Sequence, residues 1–399
     1  MGRANHQSKA VRLSGRIPFC YFFKIAAFFA KNSSIQKDFS YWISLFLNLP
    51  FSRFSDNQGT VKEYCNLNSG SDPQLIVKRR NPPRILRQVR ALKSRIPSHH
   101  PQFTEISQNE TRRSSGFKGE ESLDYFFTDL ASEKDYFIYH DLRLPLNNTF
   151  FQMDTLIMTR RFLLIIEVKN MAGTLYFDPV FEQLIRTLNG REEGFLDPIA
   201  QVRRQKKQLT RWMDLHQLPP IPIEFMVAIS NPSTIIRTEP GNFAVPQRVA
   251  HIHQVPERIQ TIRSTCSEEK MTLAELKKIG HYLIKYHTPS EINILKMYQI
   301  TEDDLITGVH CPSCRAIPMN RTNGTWRCPS CGCKSKNAHV QALHDYFLLI
   351  SPAITNEEFR KWTHLKSSKT AYKLLQNMNL PVSGNNRCRL YHQPTGFDK

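Results

Sequence analysis

The spacing of apolar residues changes period several times along this chain. In "ILRQVRALKSR" apolar positions fall three and four apart between prolines at 82, 83 and 97, which predicts a short helix over Arg84–Arg95. "GFKGEESLDYFFTDL" carries a second helical stripe of Leu123, Phe126, Phe127 and Leu130. Gly116 and Gly119 read as a loose approach to it, with Glu120 and Glu121 in its first turn, where negative charge suits the helix dipole. The period then shortens. "YFIYHDLRLP" reads as a strand with polar interruptions, "FFQMDTLIM" and "FLLIIEVKN" as a hairpin turning at "TRR", and "AGTLYFD" as another short strand. "YFDPVFEQLIRTLNGREEGFLDP" fits neither period and reads as a loop with a short helix near a cleft. "DPIAQVRRQKKQLTRWMDLH" is a long basic helix with Ile199, Val202, Leu209 and Met213 on its apolar side. "IPIEFMVAISNP" follows as a buried strand, "AVPQRVAHIHQV" as one more, and "MTLAELKKIGHYLIKYH" as a closing helix. This order predicts an α/β unit, a mixed sheet flanked by helices.

The first seventy residues break the pattern. "RIPFCYFFKIAAFFAKN" and "FSYWISLFLNLPFSRF" are aromatic and basic, and each apolar run falls short of the about 20 residues that span a bilayer. Three readings fit residues 1–72. One is a signal peptide, for which no convincing small-x-small cleavage site follows. Another is an amphipathic segment lying on a membrane. The third, favoured by the poor fit to any packed unit, is upstream sequence translated from a misassigned start. Residues 73–115 form a basic lead-in.

Composition narrows the partner. The formal net charge of +19 over 399 residues is more than small-molecule chemistry needs, and a polyanion, above all nucleic acid, accounts for it. Nine cysteines are too sparse for a secreted disulfide scaffold, and four of them form two tight pairs near the C-terminus. The expected compartment is cytoplasmic.

Candidate chemistry sits in the hairpin. Asp154 interrupts an apolar strand between "FFQM" and "TLIM", and Glu167 and Lys169 fall two apart on one side of the next strand. A buried charge needs a partner, and two carboxylates sharing a cleft repel unless a cation holds them. Mg²⁺, or Mn²⁺, takes one or two protein carboxylates and completes its shell with water and substrate phosphate. Lys169 would then orient the attacking water or stabilise developing charge. A surface ion pair at a strand end is the plainer explanation of Glu167 and Lys169, but it leaves Asp154 unexplained.

The stretches "GFKGEESLDYFF", "HDLRLPLNNTFFQMDTLIMTRRFLLIIEVKNMAGTLYFD" and "DPIAQVRRQKKQLTRW" resemble the nuclease-related domain, NERD, a family grouped with the restriction-endonuclease-like PD-(D/E)xK fold. The resemblance covers residues 116–287. It implies that Glu120 is the helix glutamate of the first motif, Asp154 the motif aspartate, Glu167 and Lys169 the ExK pair, and Gln201 the polar residue of the basic helix. Met153 stands where the family pattern has proline, which contributes no ligand. Asp154 and Glu167 would bind the metal, Glu120 would reach it through water, and Gln201 and Arg204 would face the phosphate.

Beyond residue 300, "CPSCRAIPMNRTNGTWRCPSCG" places Cys311, Cys314, Cys328 and Cys331 in two C-x-x-C pairs. That spacing predicts a zinc ribbon over residues 308–334, with one structural Zn²⁺ on four thiolates and no open position for substrate. Cys333 reads as a bystander. Residues 338–380 read as three short helices. Thr355 and Glu358 form a capping box, and the last two helices resemble a helix-turn-helix whose Lys369, Thr370 and Lys373 face nucleic acid. A small bundle packed on the ribbon explains the same pattern. Residues 381–399 form a tail.

These readings converge on a metal-dependent nuclease domain over residues 116–290, acting on nucleic acid, DNA first. One alternative is a non-catalytic nucleic-acid-binding scaffold built on a nuclease-like domain. The other is a membrane-associated regulatory protein, which depends on residues 1–72.

Overall fold

The computed structural model describes residues 76–127, 136–385, 388–394 and 396–397. The readings of residues 1–72 as leader, membrane segment or misassigned start lie outside the described residues.

In chain order, β1 (Ile76–Lys78) leads into α1 (Arg84–Arg95) and α2 (Phe103–Phe126). Three strands follow, β2 (Phe137–Leu146), β3 (Thr149–Met158) and β4 (Leu163–Lys169). Next come β5 (Thr174–Asp178), β6 (Gln183–Leu188) and β7 (Arg191–Leu196), then α3 (Pro198–Leu215), β8 (Ile223–Ile229) and β9 (Ile235–Thr238). α4 (Ala244–Arg248), β10 (Val249–His251), α5 (Val255–Thr265) and α6 (Leu273–Tyr286) complete this part of the chain. The remainder holds α7 (Ile294–Met297), β11 (Asn320–Thr322), β12 (Thr325–Arg327), β13 (Lys334–Ser335) and α8 (Ala338–Leu349). It ends in β14 (Ala353–Thr355), α9 (Asn356–Thr363), α10 (Ser368–Asn377), β15 (Val382–Ser383) and β16 (Leu390–His392).

The expected mixed sheet is present, with strand order β1-β2-β3-β4-β8-β10. β2, β3 and β4 run antiparallel in sequence, while β8 joins β4, and β10 joins β8, in parallel. α3 and α6 cover one face through Ile199, Val202, Trp212, Leu276 and Ile279. The end of α2 and α5 cover the other through Leu123, Phe127, Val255 and Ile259. Asp197 caps α3, its carboxylate accepting from the N–H groups of Ile199 and Ala200, with Pro198 in the first turn. Thr272 and Glu275 cap α6 reciprocally.

Three elements differ from the sequence expectation. α2 starts at Phe103, so Glu120 and Glu121 lie in its last turns rather than its first, and Gly119 is buried within the helix. Gly119 belongs there by packing: a Cβ on it would come within 2.5 Å of the Asn170 Cβ and 2.6 Å of the Ser230 Oγ. The acidic excursion after Asp178 is not a loop with a helix. It is the β6–β7 hairpin of a second sheet, ordered β7-β6-β5-β9. Asn189 and Gly190 turn that hairpin, both at positive φ, as a two-residue turn requires. "AVPQRVAH" is a short helix running into β10 rather than one strand.

One irregularity shapes the main sheet. β2 and β3 pair in a constant register except at Asp141 and Asp154, which would face each other but do not pair. Asp141 has φ 50°. On β2 the core-facing set changes from Phe137 and Tyr139 to Leu142, Leu144 and Leu146; on β3 it changes from Met158 and Leu156 to Met153 and Phe151. Both strands therefore turn over at the two aspartates.

The cysteine-rich segment forms a small antiparallel sheet, β11-β12-β13. It shares one core with α8, α9 and α10 through Trp326, Leu343, Phe347, Phe359 and Leu375, and with α1 and the start of α2 through Val89, Leu92 and Ile106. Arg95 joins these parts: it is fully buried, donates to Asp345 at 2.7 Å, and lies 4.5 Å from the Trp362 ring centre. No helix among the described residues is long and apolar enough to cross a membrane.

Candidate functional site

Carboxylates and amines meet where β3, β4 and α3 come together. β3 and β4 pair as far as Thr155 and Ile166, and the next positions on that register are Asp154 and Glu167. There the strand pairing ends, and the Val168 N–H bonds to the Asp154 Oδ2 at 3.0 Å. Burial first, then the charges of Glu167 and Glu120, push the Asp154 carboxyl well above the usual range.

Glu167 is 3% exposed and held on both oxygens. Oε1 accepts from the Lys169 Nζ at 2.7 Å and the Gln201 Nε2 at 2.6 Å. Oε2 accepts from the Gln205 Nε2 at 2.9 Å. The Lys169 Nζ also donates to the Gln201 Oε1 at 3.1 Å, closing a ring of three side chains. Gln201 and Gln205 reach one carboxylate because they lie four apart on α3, one turn along one face. Gln201 is thus no ordinary surface residue of the helix. Gln205 has an equal share in holding Glu167, and its i, i+4 relation to Gln201 was the signal that could have found it.

Glu120 reaches the site from α2. Burial raises its carboxyl to about 7 against the opposing charge of Arg80. The Arg80 Nη1 donates to the Glu120 Oε2 at 2.8 Å, while Nη2 donates to the Thr155 Oγ1 at 2.9 Å and to the His140 Nδ1 at 2.8 Å. Burial, then the Arg80 charge, takes His140 down to about 2, so the ring is neutral and accepts at Nδ1. Asp124 lies at 3.3 Å from the same guanidinium. Lys78, from β1, donates to the carbonyls of His140 at 2.8 Å and Asp141 at 3.1 Å, beside the turnover in β2. Sequence reasoning missed Arg80 and Lys78 because "IVKRRNPP" looks like an undifferentiated basic run.

Arg204 is exposed on α3 and takes no part in the bonds that hold Glu167. Its neighbours Arg203, Lys206, Lys207 and Arg211 line a cleft of about 370 Å³ with Phe225 and Asp214. Lys369 and Lys373 are exposed on α10 and Thr370 is half-buried, well separated in sequence from the carboxylates.

The second cluster is Cys311, Cys314, Cys328 and Cys331, whose sulfurs all lie within 4.8 Å of one another. The two C-x-x-C turns repeat one geometry. The Arg315 N–H bonds to the Cys311 carbonyl as the Gly332 N–H bonds to that of Cys328, with positive φ at both Arg315 and Gly332. The N–H groups of Cys314 and Ser313 bring the Cys311 thiol down to about 6, and those of Cys331 and Ser330 lower Cys328 likewise. Bonds from the neighbouring cysteine sulfurs push Cys314 the other way, up to about 12, so the fit to a metal ion rests on the four-sulfur geometry. Cys333 lies outside the four. His339 is no ligand: it is buried, accepts from the Trp326 Nε1 at 3.2 Å, and is held at about 4 by burial.

Fold and site together define an α/β protein with a carboxylate–lysine centre at the strand ends and a separate cysteine cage. Residues 115–230 match the family described as the nuclease-related domain, NERD, so the chain contains a region of that family. The matched stretch carries Glu120, Asp154, Glu167, Lys169 and Gln201. No curated protein and no solved structure matches the chain.

Proposed function

We propose that the chain is a divalent-cation-dependent nuclease of the PD-(D/E)xK kind, hydrolysing phosphodiester bonds in nucleic acid, with DNA as the expected substrate. The observation that carries this reading is the convergence of Asp154, Glu167 and Lys169 where the pairing of β3 and β4 ends. Hard carboxylate donors support the choice of cation: the charges of Glu167 and Glu120 act on Asp154, and a bound cation would relieve that repulsion. Asp154 and Glu167 would hold Mg²⁺ or Mn²⁺, which when bound supplies charge stabilisation and an activated water. Lys169, oriented by Gln201, places its ammonium beside the carboxylates, where it would position the attacking water. Glu120 would act through water. The cations beside the α3 cleft, with Arg204, would take the sugar–phosphate backbone, in keeping with the net charge of +19.

The cysteine cage would be a zinc ribbon with one structural Zn²⁺. α9 and α10, joined through His364 and Ser367, would act as a helix-turn-helix with Lys369, Thr370 and Lys373 toward nucleic acid. A scaffold without catalysis is the second reading. It is favoured by the engagement of both Glu167 oxygens by Lys169, Gln201 and Gln205.

Calorimetric Mg²⁺ titration with cleavage assays on DNA and RNA separates the two. Asp154→Ala and Glu167→Ala should each lose ion binding and cleavage together. Cleavage that persists unchanged in both variants, or is absent from the parent with every substrate, would hand the chain to the scaffold reading.

A further inference from the structure

Arg80 lies upstream of the region matched to the nuclease-related domain, yet its guanidinium sits against the carboxylate centre. Its side chain is 2% exposed, deep burial for a group that rarely leaves water. Its nitrogens reach Glu120, Thr155, His140 and Asp124, the last from both Nε and Nη2. Nη1 holds Glu120 at 2.8 Å, on the last turns of α2. Nη2 holds the Thr155 hydroxyl at 2.9 Å, on the residue next to Asp154, and the His140 Nδ1 at 2.8 Å, on the strand paired with it. Nε faces Asp124 at 3.3 Å, one turn from Glu120. One planar group thus ties a helix to two strands at the point where both strands turn over. A lysine would supply the charge without the fork.

We infer that Arg80 is a positioning residue of the carboxylate site: it ties Glu120 to Thr155, the neighbour of Asp154, and the site's hold on a divalent cation depends on that placement. The inference rests on the nuclease reading above. A plain structural account of Arg80 would have it stabilise the fold and nothing more. Two observations favour the site. One arm holds Glu120 itself, and another holds Thr155, the residue next to Asp154 on β3. Residues that orient a metal's carboxylates are as much part of its affinity as the ligands themselves.

The test uses the full chain and Mn²⁺ alone, followed by electron paramagnetic resonance and calorimetry. Arg80→Lys keeps a buried cation and is the variant expected to fold, with folding checked by melting temperature; Arg80→Met serves as the harsher comparison. Arg80→Lys should weaken Mn²⁺ binding by about tenfold or more, the usual cost of losing an outer-sphere partner. In a Glu120→Gln background the same replacement should change the Mn²⁺ affinity by less than about twofold, because residues acting through one contact are not additive. Parent-like Mn²⁺ affinity in Arg80→Lys would overturn the inference, as would an undiminished loss in the Glu120→Gln background, which would mark Arg80 as a purely structural residue. If the parent binds no Mn²⁺ that Asp154→Ala removes, the nuclease reading itself falls and takes this inference with it.

Discussion

Lys169 bonds to Glu167 and Gln201, and an ammonium is not a ligand for a cation, so on the proposed nuclease reading its loss should separate chemistry from binding. Lys169→Met should lower cleavage by about 10²–10³-fold, the scale of one lost charge-stabilising donor, while Mg²⁺ affinity in calorimetry stays near the parent's. Glu167 keeps its orientation in that variant through Gln201 and Gln205. Glu120 makes a second prediction. Its carboxyl lies at about 7, above the ordinary 4.5, so the folded state holds a proton that the unfolded state has released. That contribution to stability is present below pH 4.5 and lost as pH rises through about 7. Thermal denaturation should show the loss across that window, and Glu120→Gln should make it shallower, leaving the part carried by the raised carboxyls of Asp154 and Asp124. A Glu120→Gln profile as steep as the parent's would mean that other groups carry the dependence.

At the scale of elements, the approach of α2 to the ends of β4 and β8 depends on a missing side chain. A Cβ at Gly119 would overlap Asn170 and Ser230, whereas at Gly116 nothing lies within 4 Å. Gly119→Ala should therefore destabilise by about 1–3 kcal/mol, as overpacking does, and disturb Glu120 on the adjoining position. Gly116→Ala should instead stabilise, by up to about 1 kcal/mol of helix propensity. Denaturant unfolding of the pair measures both signs, and equal effects would contradict the packing account. The sequence showed two glycines near a helix but not which one faced a neighbour, because close approach is a property of two elements. The same limit hid the β6–β7 hairpin: β7 is exposed at every position, so its residues carry no buried alternation to read.

Across the whole molecule, α1 and the C-terminal helices have one core. Removing everything from Cys311 onward reads, from sequence, as the loss of a separable tail. The structure predicts more: it would uncover Val89, Leu92 and Ile106 and leave Arg95 without Asp345. The milder Asp345→Ala should already cost about 3–5 kcal/mol by stranding a buried charge, read as a lowered denaturant midpoint. On the proposed zinc reading, removal of a metal from the cysteine cage should be felt in the same core, since Cys311, Cys328 and Trp326 belong to it. A chelator should therefore lower the cooperativity of unfolding monitored in α8–α10, rather than melt the small sheet alone. An unchanged melting profile after metal removal would show that the cage contributes nothing to that core.

What the sequence determined by itself was local. Apolar period placed the short helix at Arg84–Arg95, the hairpin strands and the basic helix, and parity placed Glu167 and Lys169 on one side of a strand. The cysteine spacing implied two pairs, each closing on its own turn, and the fold of the segment between them brings the pairs together. What only the tertiary structure decided was which distant groups complete the site. Gln205, Arg80, Thr155 and His140 meet the carboxylates through a helix laid across a sheet and through strands that turn over at Asp141 and Asp154. No periodicity encodes that meeting, since it depends on packing between residues 38 to 75 positions apart in the chain.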